Sequence, residues 1–232
     1  MSSIQKITLV TGSTGELGTE VVKEFAGNDY QVVGTVRPGK LESSTNPNIT
    51  YRELDLTNEA FCKDFVNDVV KEFGGLDVVV NVAGGFAMGN VENTGEAEID
   101  KMLALNFKTA YFISKPAFNA MRKAGNSGRI IFVSGKPALT HSIGKDTLAY
   151  SISKSMLSQF SALLNETGKG TGVETSVVVP GTMNTVSNRN AMPDADFLKW
   201  VKLENVAKTI TFLCSEAGTE IRDSVVKLYG NS

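Results

Sequence analysis

The sequence predicts an α/β protein built on a doubly wound, mostly parallel sheet with helices on both faces. Three observations predict it. Short apolar, β-branched runs alternate with helical periodicities from end to end, the order that parallel βαβ units require. The central runs are apolar at consecutive positions, as strands covered on both faces must be. Glycines cluster in TGSTGELG, where the first run turns into the first helix. No linker, repeat or low-complexity tract divides the 232 residues, so 1–232 is expected to form one domain.

The elements follow in order. ITLVTG (Ile7 to Gly12) is an apolar run closed by glycine, and Leu17, Val21, Val22 and Phe25 recur behind it at helical spacing. QVVGTV (Gln31 to Val36) is a second strand, and ITYRELDL (Ile49 to Leu56) a third by its alternation. Asn58 to Phe73 reads as a helix with Phe61, Phe65, Val69 and Phe73 on one face. LDVVVNVAGG (Leu76 to Gly85) reads as a central strand. A long helix is predicted over roughly Glu96 to Lys123, a buried strand over Arg129 to Ser134, and a helix over Ala149 to Leu164. VETSVVVPG (Val173 to Gly181) is the next strand, followed by a polar, Asn-rich segment. Leu203 to Cys214 is helical, and SVVKLY (Ser224 to Tyr229) supplies the last strand.

Composition removes several function classes. Net charge is −2 with Lys and Arg scattered, so there is no basic footprint for nucleic acid or an anionic membrane. One histidine and no CxxC leave no metal cage. The MSSIQK start has no signal-peptide character and no apolar stretch is long enough to span a bilayer, which points to a cytoplasmic setting. Cys62 and Cys214 read as small buried apolar residues, against a disulfide or a reactive thiol.

The chemistry begins at the glycine turn. Gly12, Gly15 and Gly18 let the backbone turn sharply and approach a pyrophosphate, whose charge meets the helix N-terminus. This makes the fold Rossmann-type and Gly12, Thr14, Gly15 and Leu17 candidate cofactor contacts. A tight turn without a ligand is the bland alternative. A dinucleotide also needs a ribose reader after the second strand, where a carboxylate favours NAD and an arginine NADP. That strand ends in Val36–Arg37, which favours NADP over NAD. Tyr-x-x-x-Lys occurs twice. YFISK (Tyr111 to Lys115) lies mid-helix before Pro116, whereas YSISK (Tyr150 to Lys154) opens a helix at the carboxyl edge of the sheet. The i, i+4 spacing puts tyrosine and lysine on one helical face. Tyr111–Lys115 is taken as the decoy.

With TGSTGELG, Asp55 in LDL, NVAG at Asn81 to Gly84, Asn106 in ALNF, YSISK and PGTMNT at Pro180 to Thr185, the sequence resembles the short-chain dehydrogenase/reductase family over essentially its whole length. The resemblance implies hydride transfer between NADP(H) and a small carbonyl or alcohol. It implies that Asp55 and Leu56 contact the adenine, and that Asn81, Ala83 and Gly84 line the adenosine ribose. Pro180, Gly181 and Met183 would hold the nicotinamide carboxamide. Tyr150 would be the general acid/base, Lys154 would bind the nicotinamide ribose and lower the tyrosine pKa, and Asn106 would anchor a relay water. A homodimer or homotetramer is implied too, with Phe112, Leu157 and Phe160 facing outward.

Three departures stand out. Glu16 takes the middle-glycine slot of the family's commoner TGxxxGxG turn. The catalytic-serine slot falls on Gly135, with Ser134 just before it. The chain ends in KLYGNS rather than a Gly-Gly close. VAGGFAMGN and NRNAMPDADFLKW are similar to dihydropteridine reductases, which makes a quinonoid or dihydropteridine substrate an alternative, although Val36–Arg37 disagrees with their acidic ribose reader. A non-catalytic NADP-binding redox sensor is the alternative of another class. A sugar-nucleotide epimerase fits the turn but lacks C-terminal length. The substrate is expected to lie under Thr185 to Trp200 and Lys136 to Leu148, the loop that carries His141.

Overall fold

A computed structural model describes residues 5–41, 43–125 and 127–231, so the first four residues of the MSSIQK start lie outside it. The first half runs β1 (Ile7–Thr11), α1 (Glu16–Gly27), β2 (Gln31–Val36), β3 (Ile49–Glu53), α2 (Glu59–Phe73) and β4 (Val78–Asn81). Next come α3 (Glu96–Met102), a π-helical stretch (Leu103–Lys108), α4 (Thr109–Ala124) and β5 (Gly128–Val133). A 3₁₀ turn (Lys136–Ala138) and α5 (His141–Gly144) lead to α6 (Leu148–Thr167) and β6 (Val173–Pro180). The chain finishes with α7 (Val186–Ala191), a second 3₁₀ turn (Phe197–Lys199), α8 (Leu203–Cys214) and β7 (Val225–Leu228).

The strands pair in the order β3-β2-β1-β4-β5-β6-β7, every pairing parallel. This is the Rossmann-type, doubly wound sheet. Strand order reverses between β1 and β4, and ligands of such sheets bind beyond the carboxyl ends of the strands at that switch point. Alternation along each strand builds two cores. Leu9, Val79, Ile130 and Phe132 pack on one face with α2, α4 and α6. Val10, Val78, Val80, Ile131 and Val133 pack on the other with α1 and α8. Cys62 belongs to the first core and Cys214 to the second, so the sheet separates two free, buried thiols. Burial pushes both up to about 12, which removes the reactive-thiolate reading.

The structure corrects four expectations. Phe61 is 56% exposed, and α2 turns Cys62, Val66 and Val69 to the core instead. Steps of four residues drift about 40° each around a helix, so a stripe of three such steps leaves its face. Leu157 is buried, and Phe112 and Phe160 pack against the core rather than pointing out. The predicted helix over Glu96 to Lys123 is interrupted by the π-helical stretch. The polar segment after Gly181 contains α7, whose N-cap Thr185 accepts from the Asn188 N–H at 3.0 Å.

Among the described residues no helix is long and apolar enough to cross a membrane. Among them, too, no group of three or more His, Cys, Asp or Glu is placed to hold a metal ion.

Candidate active site

The glycine turn is braced from both sides. The buried Thr11 hydroxyl accepts from the N–H groups of Val82 (3.1 Å) and Ala83 (3.2 Å), which ties the turn to the loop after β4. Ser13 donates to Thr35 O through both its N–H (3.2 Å) and its hydroxyl (2.9 Å), which pins it to β2. Gly12 has φ +63°, and a β-carbon there would stand 2.9 Å from Ala83 Cα, so only glycine fits. Thr14 and Gly15 are exposed at the mouth, and Gly15 caps α1 without a side chain. Leu17 is buried beneath, so it offers the turn only its backbone. The first N–H groups of a helix lack intrahelical acceptors, which makes this end of α1 an anion site in waiting.

Arg37 is exposed immediately after β2. Its carbonyl accepts from Lys40 N–H at 3.0 Å across a tight turn with Pro38 second and Gly39 (φ +75°) third. Glu53 accepts from Gly39 N–H at 2.8 Å and fixes that turn to β3. The turn brings a second exposed cation, Lys40, back beside Arg37; Pro38–Gly39 was the sequence signal for it. Asp55 lies past β3, exposed, with Oδ1 accepting from the Thr57 hydroxyl (2.6 Å) and N–H (2.9 Å). Those two bonds hold its carboxyl below the usual range. Leu56 packs partly buried against the core.

Asn81 ends β4 with its side chain turned into the protein, where Nδ2 donates to Ser114 Oγ at 3.0 Å and Ile131 O at 3.4 Å. Ala83 and Gly84 follow at the cleft edge. A β-carbon at Gly84 would stand 2.6 Å from Asn106 Oδ1 and 3.0 Å from Lys154 Nζ, so this backbone touches both candidate catalytic side chains. Asn106 sits in the π-helical stretch, is 1% exposed and is fully engaged. Its Oδ1 accepts from Gly85 N–H (2.8 Å), and its Nδ2 donates to Ser153 Oγ (2.9 Å). Ser153, which sequence reasoning missed, donates on to Tyr150 O at 2.8 Å. Its position between Tyr150 and Lys154 on the buried face of the helix was the available signal.

Lys154 is buried, with Nζ donating to Val133 O at 2.8 Å, and burial lowers its pKa to about 8. Tyr150 is pushed up to about 12, again by burial. The Lys154 ammonium is engaged by Val133 O, and desolvation governs both groups here. A β-carbon at Gly135 would overlap the Tyr150 hydroxyl, so it is Gly135 that faces Tyr150. Ser134 is buried and donates to Lys154 O at 3.0 Å. Phe86, which carried no sequence signal, sets its 60% exposed side chain against the tyrosine, ring centroids 5.0 Å apart.

On the far side Pro180 ends β6, Gly181 N–H donates to Leu228 O at 2.8 Å, and Met183 bridges to Val201. Met183 O also accepts from Asn188 Nδ2 at 2.8 Å, which holds the carbonyl under α7. Tyr111 and Lys115 lie on α4, where Lys115 pairs with Glu59 at 2.9 Å, and His141 is exposed.

The comparisons agree with this geometry. The chain is 29% identical over 250 residues to an uncharacterized oxidoreductase of Thermotoga maritima, covering 98% of this chain and 97% of that protein. It is 25% identical over 247 residues to an acetoacetyl-CoA reductase of Acinetobacter, covering 98% of each. Among solved structures, ElxO with NADP bound superposes with a TM-score of 0.89 at 27% identity, covering 97% of this chain and 98% of that one. The short chain dehydrogenase family model matches residues 6–196, most of the chain. With a parallel sheet, a braced glycine turn and a Tyr-x-x-x-Lys helix at its edge, this chain belongs to the short-chain dehydrogenase family, whose members are NAD(P)-dependent oxidoreductases.

Proposed function

We propose that the protein reduces a small carbonyl compound with NADPH, and runs the reverse oxidation with NADP, using Tyr150 as general acid/base. The observation that carries the reading is the meeting of Tyr150, Lys154 and Asn106 beside the glycine turn. The residues fit the cofactor: the cradle at Gly12 admits no side chain, and Arg37 with Lys40 offers two cations at the ribose end. ElxO, with NADP bound, supports the same choice. In this reading the glycine turn (Gly12, Thr14, Gly15, Leu17 backbone) receives the pyrophosphate, and Asp55 and Leu56 flank the adenine. Asn81, Ala83 and Gly84 shape the adenosine ribose pocket, Asn81 through its backbone. Pro180, Gly181 and Met183 present backbone groups to the carboxamide.

The nicotinamide, when bound, supplies or accepts the hydride. Tyr150 carries its proton at neutral pH, as any phenol of ordinary pKa does, and burial raises that pKa further, so the hydroxyl can donate to a carbonyl oxygen as charge develops there. Lys154 is largely cationic at pH 7 and would hold the nicotinamide ribose. Asn106 fixes Gly85 and, through Ser153, the first turn of α6. A relay water at Asn106 would therefore meet its backbone carbonyl rather than its side chain.

A second reading, reduction of a quinonoid or pterin-like acceptor, is favoured by Gly135. With glycine rather than serine at position 135 against the Tyr150 hydroxyl, a weakly electrophilic ketone would lack the second donor that a serine there would supply. A panel of ketones, quinones and dihydropterins, followed by nicotinamide absorbance with each cofactor, separates the two readings. Binding of NADPH without turnover on any of them would favour the redox sensor. Charge-assisted contacts to the 2′-phosphate are worth ~1.5–3 kcal/mol, about ten- to a hundredfold. NADPH should therefore bind tighter than NADH, and Arg37→Ala should narrow the gap; equal affinities in the unmodified protein would refute the NADP assignment. We take residues 1–232 as one functional domain and the assembly as a homodimer or homotetramer, which light scattering tests.

A further inference from the structure

Glu16 is the first residue of α1, where the commoner turn of the family carries glycine. Its carboxylate reaches 170 positions along the chain to the start of α7. Oε2 accepts from Val186 N–H at 2.6 Å, and Oε1 accepts from Ser187 N–H at 3.2 Å and the Ser187 hydroxyl at 2.9 Å. Partial burial works against the charge, yet these three donors outweigh it and hold the carboxyl below the usual range.

The contact matters because little else docks α7. Among the described residues α7 has no buried member, and Val186 is 66% exposed. Apolar burial therefore adds little, and polar contacts decide where α7 sits. Val186 and Ser187 belong to its first turn, where N–H groups lack intrahelical acceptors. Thr185 satisfies the next one, that of Asn188. Glu16 thus completes the cap of α7 from the helix whose own N-terminus forms the anion site. A carboxylate at that spot would oppose a pyrophosphate if it were bare; here its charge is committed to α7.

We propose that Glu16 is a positioning residue of the cofactor cleft, clamping α7 to the phosphate-binding turn so that release of NADP(H) requires this contact to break. The proposal rests on the reading of the turn as an NADP(H) site. It is tested by stopped-flow fluorescence of NADPH displaced with excess NADP, in the full chain and in the variants Glu16→Gln and Glu16→Ala.

Glu16→Ala should release NADPH at least about tenfold faster, the loss expected for one charge-assisted hydrogen bond. Glu16→Gln keeps one acceptor for Val186 and should fall between Ala and the unmodified protein. A purely structural role would lower thermal stability without this graded order of release rates. Unchanged rates overturn the clamp. Slower release in both variants also overturns it, because Glu16 would then act only by repelling the pyrophosphate. A separate titration of the unmodified protein distinguishes the two failures: no NADPH binding there overturns the cofactor reading, and the clamp with it.

Discussion

Tyr-x-x-x-Lys occurs twice in this chain, and the two copies end in opposite environments. In α6, Lys154 is buried, bonded to a backbone carbonyl and lowered to about 8, while Tyr150 is raised to about 12. In α4, Lys115 is exposed and pairs with Glu59 at 2.9 Å, and that hydrogen bond raises its pKa. Tyr111 meanwhile packs among Phe107, Phe112 and Phe160, with ring centroids 5.2–6.0 Å away. Spacing alone is the same in both. What differs is desolvation next to the cleft, which penalises charge on the first lysine and leaves its proton exchangeable near neutral pH. The second lysine is a solvated cation on a helix surface.

The comparison breaks most directly at the tyrosine. Tyr150→Phe removes only the hydroxyl, so NADPH binding should survive while turnover falls at least ~10²-fold, the low end for a lost general acid. Near-full activity on a good substrate would break the catalytic assignment. The next effect is read in pH. Because burial lowers Lys154 to about 8, its cation is present below that pH and lost above it. The kcat/KM for reduction should therefore fall as pH rises through about 8, by up to roughly tenfold per unit. Lys154→Arg, charged throughout this range, should remove the limb even if activity drops. A limb that persists in that variant would belong to another group.

The same contrast shows what was legible in the sequence. The strands, the glycine turn and the placing of YSISK, rather than YFISK, at the start of a helix after a strand and loop follow from local pattern and chain order, which need no tertiary contact. Asn106 was named from resemblance, but its π-helical setting, forming bonds to Gly85 and Ser153, depends on two other elements meeting. Glu16 read only as a missing glycine, since its partners lie 170 positions away. α7 hid in a polar segment because a helix without a buried face leaves no periodicity to read. Gly135 and Ser134 turned on a single residue: neighbours leaving a strand point to opposite sides, so one of them had to face Tyr150 and the other away.

That alternation gives a smaller test. Ser134 donates to Lys154 O and so braces the helix that carries the lysine. Ser134→Ala should cost about 1 kcal/mol of stability, the net worth of one hydrogen bond, and lower turnover by less than about tenfold. Chemical denaturation and steady-state kinetics check the two parts. A thousandfold loss of turnover would make Ser134 the catalytic serine and reverse the assignment of Gly135.

The smallest effect is expected at the decoy. Tyr111→Phe keeps the ring that packs against Phe107, Phe112 and Phe160, and removes only the oxygen. Its lysine neighbour sits 5.7 Å from the ring centroid and is already committed to Glu59, so a phenol there has no desolvated cation to work with. Turnover should stay within about threefold of the unmodified protein, below ~0.7 kcal/mol in barrier. Measured beside Tyr150→Phe under the same conditions, the pair isolates environment from motif, since both substitutions delete the same atom from the same pattern. A loss at Tyr111 comparable to that at Tyr150 would mean that α4 communicates with the cleft through the Phe160 contact on α6. Burial beside the cleft would then not be what distinguishes the two copies.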